Sequence, residues 1–286
     1  MTPRAAILVP AYNEATVIGE TLSRLTCDMR SGEFQIIVIA NACHDDTAEI
    51  ARKVAPDAVV LETKTPGKTN ALRMGLDHVA APVVVFLDAD LGVDADAIRQ
   101  LIAPLQAGGA LASYGRMSID LDGCSRSVRS FYEIWTRRPY LKDGKFGGLF
   151  AVARGALNRA LPLPDLIADD EYFSRCFQPS EKAFVSNVEF VARAPRQLGD
   201  LFKVRKRSTR GTRELAAMGL SRPKTSGAGG RAAFVSEVIA NPKLWADFLI
   251  YSGLKVAVRL SLVLEGRASG AGKWERDDSS RIVVSG

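Results

Sequence analysis

Residues 83–92 read VVVFLDADLG, a run of apolar β-formers that stops abruptly at Asp88-Ala89-Asp90. Working outward from this buried strand, the first 115 residues alternate short apolar runs with helical periodicity. Strands are expected at 5–9, 35–40, 58–62, 83–88 and near 110–114. Helices are expected at 14–25, 46–54, 68–78 and 95–105. Strands separated by helices of this length predict an α/β fold, a mainly parallel Rossmann-like sheet flanked by helices with right-handed crossovers. Ligands in such sheets bind beyond the carboxyl ends of the strands. The polar clusters Tyr12-Asn13-Glu14, residues 41–46 and Asp88-Ala89-Asp90 all fall at those ends.

Past Met117 the pattern loosens. A helix is expected at 125–136, a strand behind two glycines at 147–152, a helix at 169–177 and a strand at 184–192. Residues 219–231, GLSRPKTSGAGGR, have the composition of a flexible loop. Helical patterns return at 232–240 and 244–265 as a C-terminal helical extension, and the tail from Arg267 is polar.

At 286 residues and 47% apolar content, the chain has enough material for a sizeable core. Its net charge of +6 is too mild to imply a nucleic-acid partner. Cys27, Cys43, Cys124 and Cys176 are scattered and form no C-x-x-C pair, which excludes an ordinary zinc site and suits a reducing compartment. The N-terminal MTPRAAILVPAYNE has no apolar run long enough for a signal peptide. The longest apolar stretch, 244–264, is interrupted by Asp247, Lys255 and Arg259. A cytoplasmic protein is therefore expected.

Several common motifs are absent. Gly67-Lys68-Thr69 has the ending of a phosphate-binding P-loop, but Glu62 stands where its first glycine belongs. Neither G-x-G-x-x-G nor G-x-S-x-G is present. What remains is the carboxylate pair of Asp88 and Asp90 at a strand end. Two such groups are costly to leave without partners, and a hard divalent cation that also binds substrate phosphates is a natural counterpart. Helix capping or a turn is the alternative use of such residues.

The company of that pair narrows the choice. VPAYNE (9–14), ANACHDDT (40–47), PGKTNAL (66–72), FLDADLG (86–92), GGLFAVAR (147–154) and ADDEYFSR (168–175) occur in this order. The array resembles family two of the glycosyltransferases, nucleotide-sugar enzymes with the GT-A fold, over about residues 5–215. The resemblance implies that 1–115 form a nucleotide-sugar-binding half and 116–215 the acceptor-binding half of one domain, followed by a loop and helical region at 216–286. It places Pro10, Ala11, Asn13 and Glu14 against the base and ribose. Asn41 stands where the family usually has a base-reading aspartate, so an amide replaces a carboxylate. Lys68 matches a basic position near the nucleotide. Asp88 falls nearer the ribose, and Asp90 matches a ligand of Mg²⁺ or Mn²⁺. The family's general base lies in an acidic pair about six residues before an arginine, and Arg175 makes Asp169 the better match, with Asp170 the other choice.

Physical chemistry supports these assignments. Charge grows on the β-phosphate of a departing nucleoside diphosphate, and a cation held by Asp90, joined by Lys68, would stabilise it. Crowding in the triplet Asp169-Asp170-Glu171 raises the pKa of at least one member, which makes a better base near neutrality. Helix capping is the other reading of the triplet. Gly147-Gly148 suggests close backbone approach to donor sugar or acceptor, or a simple turn. Trp135 and Tyr140 are candidates for stacking on a sugar, with core packing the alternative for Trp135.

Residues 203–213, KVRKRSTRGTR, carry six basic groups and no acid. They form either a solvated face or a mobile loop closing over the diphosphate through Arg207 and Arg210. Many relatives have Q-x-x-R-W here. Val204 and Ser208 break that motif, which argues against a processive polymer synthase. The 244–264 helix either packs on the core, pairs with a second copy, or lies on the inner face of an anionic membrane.

The expected function is inverting, metal-dependent glycosyl transfer from a nucleoside-diphosphate sugar to a sugar or lipid-linked acceptor, in surface polysaccharide or glycoconjugate synthesis. A sugar-1-phosphate nucleotidylyltransferase is one alternative, although 10–16, PAYNEAT, lack its glycine- and basic-rich loop. A non-catalytic nucleotide-sugar-binding scaffold is the other.

Overall fold

The computed structural model describes residues 2–138, 146–220 and 228–266. Its strands are β1 (Ala5–Ala11), β2 (Phe34–Asn41), β3 (Val59–Thr63), β4 (Val83–Leu87), β5 (Ala112–Asp120), β6 (Leu149–Ala153) and β7 (Lys182–Arg193). The α-helices are α1 (Ile18–Thr26), α2 (Thr47–Val54), α3 (Lys68–Leu76), α4 (Ala95–Gln106), α5 (Arg126–Trp135), α6 (Asp169–Arg175), α7 (Leu198–Ala217), α8 (Ala228–Ala240) and α9 (Trp245–Gly266). The chain divides into two compact units, Met1–Ser118 with Gly144–Ala192, and Ile119–Asp143 with Arg193–Gly286.

The first unit carries the sheet, in the order β3-β2-β1-β4-β6-β5-β7. β1 runs parallel to β2 and β4, and β2 parallel to β3. The mainly parallel α/β architecture is thus the one expected. Ala5 through Val9 are wholly buried, which explains why β1 reads as an unbroken apolar run instead of an alternating one. Ile18, Leu22 and Leu25 of α1 and Ile98, Leu101 and Ile102 of α4 cover one face, packing on Ile7, Val9, Val38 and Val85. Each such side chain contributes roughly 1.5–3 kcal/mol.

Several expectations need correction. The fifth strand is not a continuation of the parallel run. β6 pairs antiparallel with both β4 and β5 and separates them. Apolar periodicity marks strands but carries no record of the partner, and the distant FAVA run takes the edge of β4. The first helix begins at Ile18, not at residue 14. Asn13 has φ +52°, and the N–H groups of Glu14 and Ala15 donate to Thr47 Oγ1 at 2.8 Å and Asp45 Oδ2 at 3.1 Å. Finally, 228–231 belong to α8 and not to a loop. Residues 221–227, Tyr140 and the polar tail from Arg267 lie outside the described residues.

Glu33 marks a buried electrostatic joint in this unit. Its carboxylate accepts from Arg99 twice at 2.8 Å, from the Arg30 N–H at 3.1 Å and from Arg4 at 3.3 Å. The Arg99 hydrogen bonds are the largest influence holding its pKa down, from an ordinary 4.5 to about 2. A depressed carboxylate stabilises the fold above its unfolded pKa, and that contribution is lost as pH falls through the folded one. Glu33→Gln should therefore cost about 2 kcal/mol at neutral pH. The deficit should shrink between pH 4.5 and 2. Urea unfolding at a series of pH values checks this, and a pH-independent deficit would contradict it.

The second unit is mainly helical in its described residues. Phe131 of α5 meets Tyr251 of α9 with ring centroids 5.2 Å apart. Arg137 bonds Glu133 at 2.5 Å and Glu237 at 2.8 Å. Residues 203–213 form part of α7, not a loop. Lys206 and Arg210, one turn apart, both pair with Glu265, the latter at 2.9 Å. Their acid lies more than fifty residues away, beyond the reach of local pattern, while Lys203 pairs with Asp200 three residues before it. Trp135 is 7% exposed and packs edge-on to Tyr132, the core role weighed for it. Among the described residues, no helix is long and apolar enough to cross a membrane.

Candidate active site

β4 delivers Asp88 to the carboxyl end of the sheet. The Asp88 N–H donates to Gly148 O at 2.8 Å, extending the β4–β6 ladder by one bond. A Cβ on Gly148 would stand 2.6 Å from Asp88 Oδ2 and 2.6 Å from Leu91 Cδ1. The expectation at this double glycine is approach to donor sugar or acceptor, or a simple turn; what closes on Gly148 here is the Asp88 carboxylate. Gly147 supplies the turn, with φ +51°, and a Cβ there would meet the Phe190 ring at 3.0 Å. Asp90 is exposed in the turn that follows, and Ala89 O is anchored by Thr21 Oγ1 at 2.8 Å.

Lys68 begins α3 and joins two parts of the chain eighty or more residues apart in the case of Asp169. Its Nζ lies 2.7 Å from Asp88 Oδ1 and 3.0 Å from Asp169 Oδ2. Asp169 opens α6 and is only 6% exposed. Helix α6 is held over the sheet by Phe173, which packs 4.6 Å from Phe86 and 5.4 Å from Phe150. The segment ahead of it is fastened to α3. Asp165 accepts from Thr69 Oγ1 at 3.2 Å and pairs with Arg73, which also donates to Leu163 O at 3.1 Å. Arg175 bonds Glu171 at 3.0 Å within α6. The N-cap of α6 is Ala168, so no side chain caps this helix. The acidic triplet lies in its first turn, where the helix dipole favours negative charge.

Burial is the largest influence on Asp169 and pushes its pKa up. Lys68 opposes that rise, while Asp170 and Asp88 add to it. Lys68 is pushed down by burial, but Asp169 and then Asp88 outweigh this and hold it firmly charged. The cluster is thus a buried cation between two carboxylates, one of which leans toward taking a proton.

The ends of β1 and β2 form a second group. Asn13 Oδ1 accepts the His44 N–H at 2.7 Å, and its own N–H donates to Cys43 Sγ at 3.3 Å. Ala11 is buried, with its carbonyl accepting from Cys43 Sγ at 3.4 Å, and Pro10 is half-buried. Glu14 is buried behind the same turn. Asn41 ends β2, 2% exposed, and its Oδ1 is buried with no hydrogen-bond donor. Such an orphan acceptor is rare in native interiors. Arg207 and Arg210 lie on α7 in the second unit. Sequence reasoning missed the contact between Lys68 and Asp169, and also the Thr69–Asp165–Arg73 fastening, for which no local signal exists.

The family model for glycosyl transferase family 2 matches residues 6–160, more than half of the chain. The chain belongs to this family.

Among similar family 2 and related proteins is the undecaprenyl-phosphate 4-deoxy-4-formamido-L-arabinose transferase of Enterobacter sp., 27% identical over 112 residues. That match covers 37% of this chain and 34% of the relative. The dolichol-phosphate mannosyltransferase of Pyrococcus furiosus is 28% identical over 112 residues, covering 38% of this chain and 32% of its own. The chain thus spans about a third of the length of the curated relatives it matches. The Pyrobaculum calidifontis mannosyltransferase solved with GDP-Man and Mn²⁺ superposes with TM-score 0.60 at 22% identity, covering 94% of this chain and 80% of that one. The Mycobacterium tuberculosis glucosyl-3-phosphoglycerate synthase solved with Mn²⁺, UDP-Glc and phosphoglyceric acid gives 0.57 at 21%, covering 78% and 82%. At these identities the structures establish the shared fold.

The family 2 site suits a divalent cation in its donor chemistry. Asp90 offers an exposed carboxylate, and the glycine cradle of Gly148 leaves room for the Asp88 oxygen. Among the described residues no group of three or more metal-ligating side chains gathers. A Mg²⁺-like ion needs no such cage, because one or two carboxylates suffice when waters and substrate phosphates complete the shell.

Proposed function

We propose that the protein transfers a sugar from a nucleoside-diphosphate donor to an acceptor hydroxyl with inversion. The observation that carries this reading is the Lys68 bridge, 2.7 Å to Asp88 and 3.0 Å to Asp169. It joins a carboxylate at the strand end, where donor ligands bind in such sheets, to a buried carboxylate suited to proton abstraction. Asp169 takes the proton of the acceptor hydroxyl, whose oxygen attacks the anomeric carbon. The bond to the β-phosphate oxygen breaks on the opposite face through an oxocarbenium-like transition state. Lys68 stands where it can release Asp169 and turn toward the phosphate. Asp90, with Asp88, would hold Mg²⁺ or Mn²⁺, which when bound supplies positive charge to the leaving diphosphate.

Asn41 reads the base, its orphan acceptor taking an N–H of the ring, while Pro10, Ala11, Asn13 and Glu14 shape the walls of that pocket. Relatives named for undecaprenyl phosphate and dolichol phosphate favour a lipid-linked acceptor. Trp245, Leu249, Val256 and Leu260 are all more than half exposed along α9, which supports contact with a membrane surface.

The test is donor binding. Thermal unfolding against UDP-, GDP- and dTDP-sugars with Mn²⁺ should show one nucleotide raising the melting temperature. Saturation at about 100 times the dissociation constant adds about 2.7 kcal/mol. Asp90→Ala should remove the Mn²⁺-dependent part of that rise. If no donor stabilises the protein, or if Asp90→Ala responds as wild type does, the reading fails.

A further inference from the structure

A cavity lies within the second unit, about 410 Å³ in volume and bounded by α5, α7 and α9. That is the size of an ordinary small-molecule site. Arg138, Arg205, Arg213, Lys255 and Arg259 line it, and none of its described lining residues is acidic. Elsewhere the same helices match cations with acids, as Arg137 does with Glu133 and Glu237, and Lys206 and Arg210 with Glu265.

Its walls are aromatic as well as basic. The Arg205 guanidinium stands 5.3 Å from the Trp135 ring and 5.9 Å from that of Phe131. Its Nε is buried with no hydrogen-bond acceptor. Lys255 Nζ sits 5.1 Å over the Tyr251 ring and 3.4 Å from its hydroxyl. Burial, followed by repulsion from Arg138 and Arg259, lowers the Lys255 pKa. Tyr251, Leu254 and Val258 make the α9 side apolar and buried. Like charges gathered in a half-enclosed space repel, and an anion brought among them is stabilised by the same field. Guanidinium forks match the oxygens of phosphate in particular.

We propose that this cavity binds the phosphate group of a partly apolar phosphate ester, with Arg205, Lys255 and Arg259 on the anion and the aromatic wall on the organic part. The cavity belongs to the second unit and the Asp88–Lys68–Asp169 cluster to the first, and its proposed role does not depend on sugar transfer.

Calorimetric titration of the full chain with octyl phosphate, octanol and inorganic phosphate tests the idea, joined by sedimentation with phosphatidylcholine vesicles with and without phosphatidate. Octyl phosphate should bind at one site and octanol should not. Arg205→Gln and Arg259→Gln should each weaken binding about tenfold, the loss expected for one hydrogen bond to a charged group. Arg259 is exposed, so its replacement leaves packing intact even if the Arg205 variant does not fold. Asp90→Ala should bind as wild type does, separating this cavity from a nucleotide site. Octyl phosphate binding without sedimentation on phosphatidate vesicles would identify a soluble ester as the source, and binding to both would identify a lipid headgroup. Octyl phosphate and phosphatidate binding no better than their uncharged controls, or unaltered in the Arg259→Gln variant, would overturn the proposal.

Discussion

Asp169→Asn is expected to slow nucleoside-diphosphate release from the sugar donor by about 10²–10⁴-fold, the range for loss of a general base, while donor affinity holds. The amide is isosteric and can still accept from Lys68, so the packing of α6 over Phe86 and Phe150 is kept. What disappears is the capacity to take a proton. The pH profile adds a second signature. Burial lifts the Asp169 pKa, and Asp170 and Asp88 lift it further. The acid limb of wild-type turnover should accordingly lie above the ordinary carboxylate range. Asp170→Asn removes one of those repulsive charges, so it should move the limb to lower pH and leave much of the rate. The two variants together decide which acid is the base. Near-normal turnover in Asp169→Asn with a large loss in Asp170→Asn would reverse the assignment.

How far the sequence foretold this depends on the range of the interactions. β1, β2 and β4 were legible because both faces of each are buried, which leaves a continuous apolar run. Asp88 and Asp90 were legible as candidates because two carboxylates at a strand end are costly to leave without partners. The insertion of β6 between β4 and β5 was not, since a strand's partner is chosen by the whole sheet. Of the two readings of the basic run, the mobile loop failed for a related reason, as the acid that pairs with Lys206 and Arg210, Glu265, is supplied by another helix. The candidate site shows the same division. Lys68, Asp88 and Asp169 were each singled out from separate motifs, but their meeting is made by three long-range devices. These are the Phe86–Phe150–Phe173 stack, the Asp165 fastening to α3, and the absent side chain at Gly148. None leaves a local periodic trace. Asn41 is the reverse case, where its departure from the family's aspartate was visible at once and its orphaned oxygen was not.

Lys68→Met should both destabilise the fold and displace the pH profile, and the combination is what distinguishes a bridging cation from an ordinary helix lysine. Removing one member of a buried ion cluster costs about 3–5 kcal/mol because the remaining charge is left uncompensated. Here that charge is chiefly on Asp169, since the Asp88 side chain keeps 38% of its exposure and water can serve it. Without the lysine, burial, Asp170 and Asp88 raise the Asp169 pKa with nothing to oppose them. A carboxyl whose folded pKa exceeds its unfolded one binds more protons when folded, so stability rises as pH falls through that interval. The deficit of Lys68→Met should therefore be largest at neutral pH and narrow as the solution is acidified toward 3.8, the ordinary value for an aspartate. Turnover should respond in the opposite sense. Its acid limb should move to higher pH, because more base is needed to ionise Asp169. Lys68→Arg, which keeps the charge, should recover most of the stability and less of the rate, since a planar fork does not reproduce a point charge 2.7 and 3.0 Å from two carboxylates. Urea unfolding and nucleoside-diphosphate release across the same pH series measure both effects. A stability deficit that does not vary with pH, together with an unmoved limb, would mean that Asp169 does not sense the lysine, and the electrostatic coupling of the two acids would have to be abandoned.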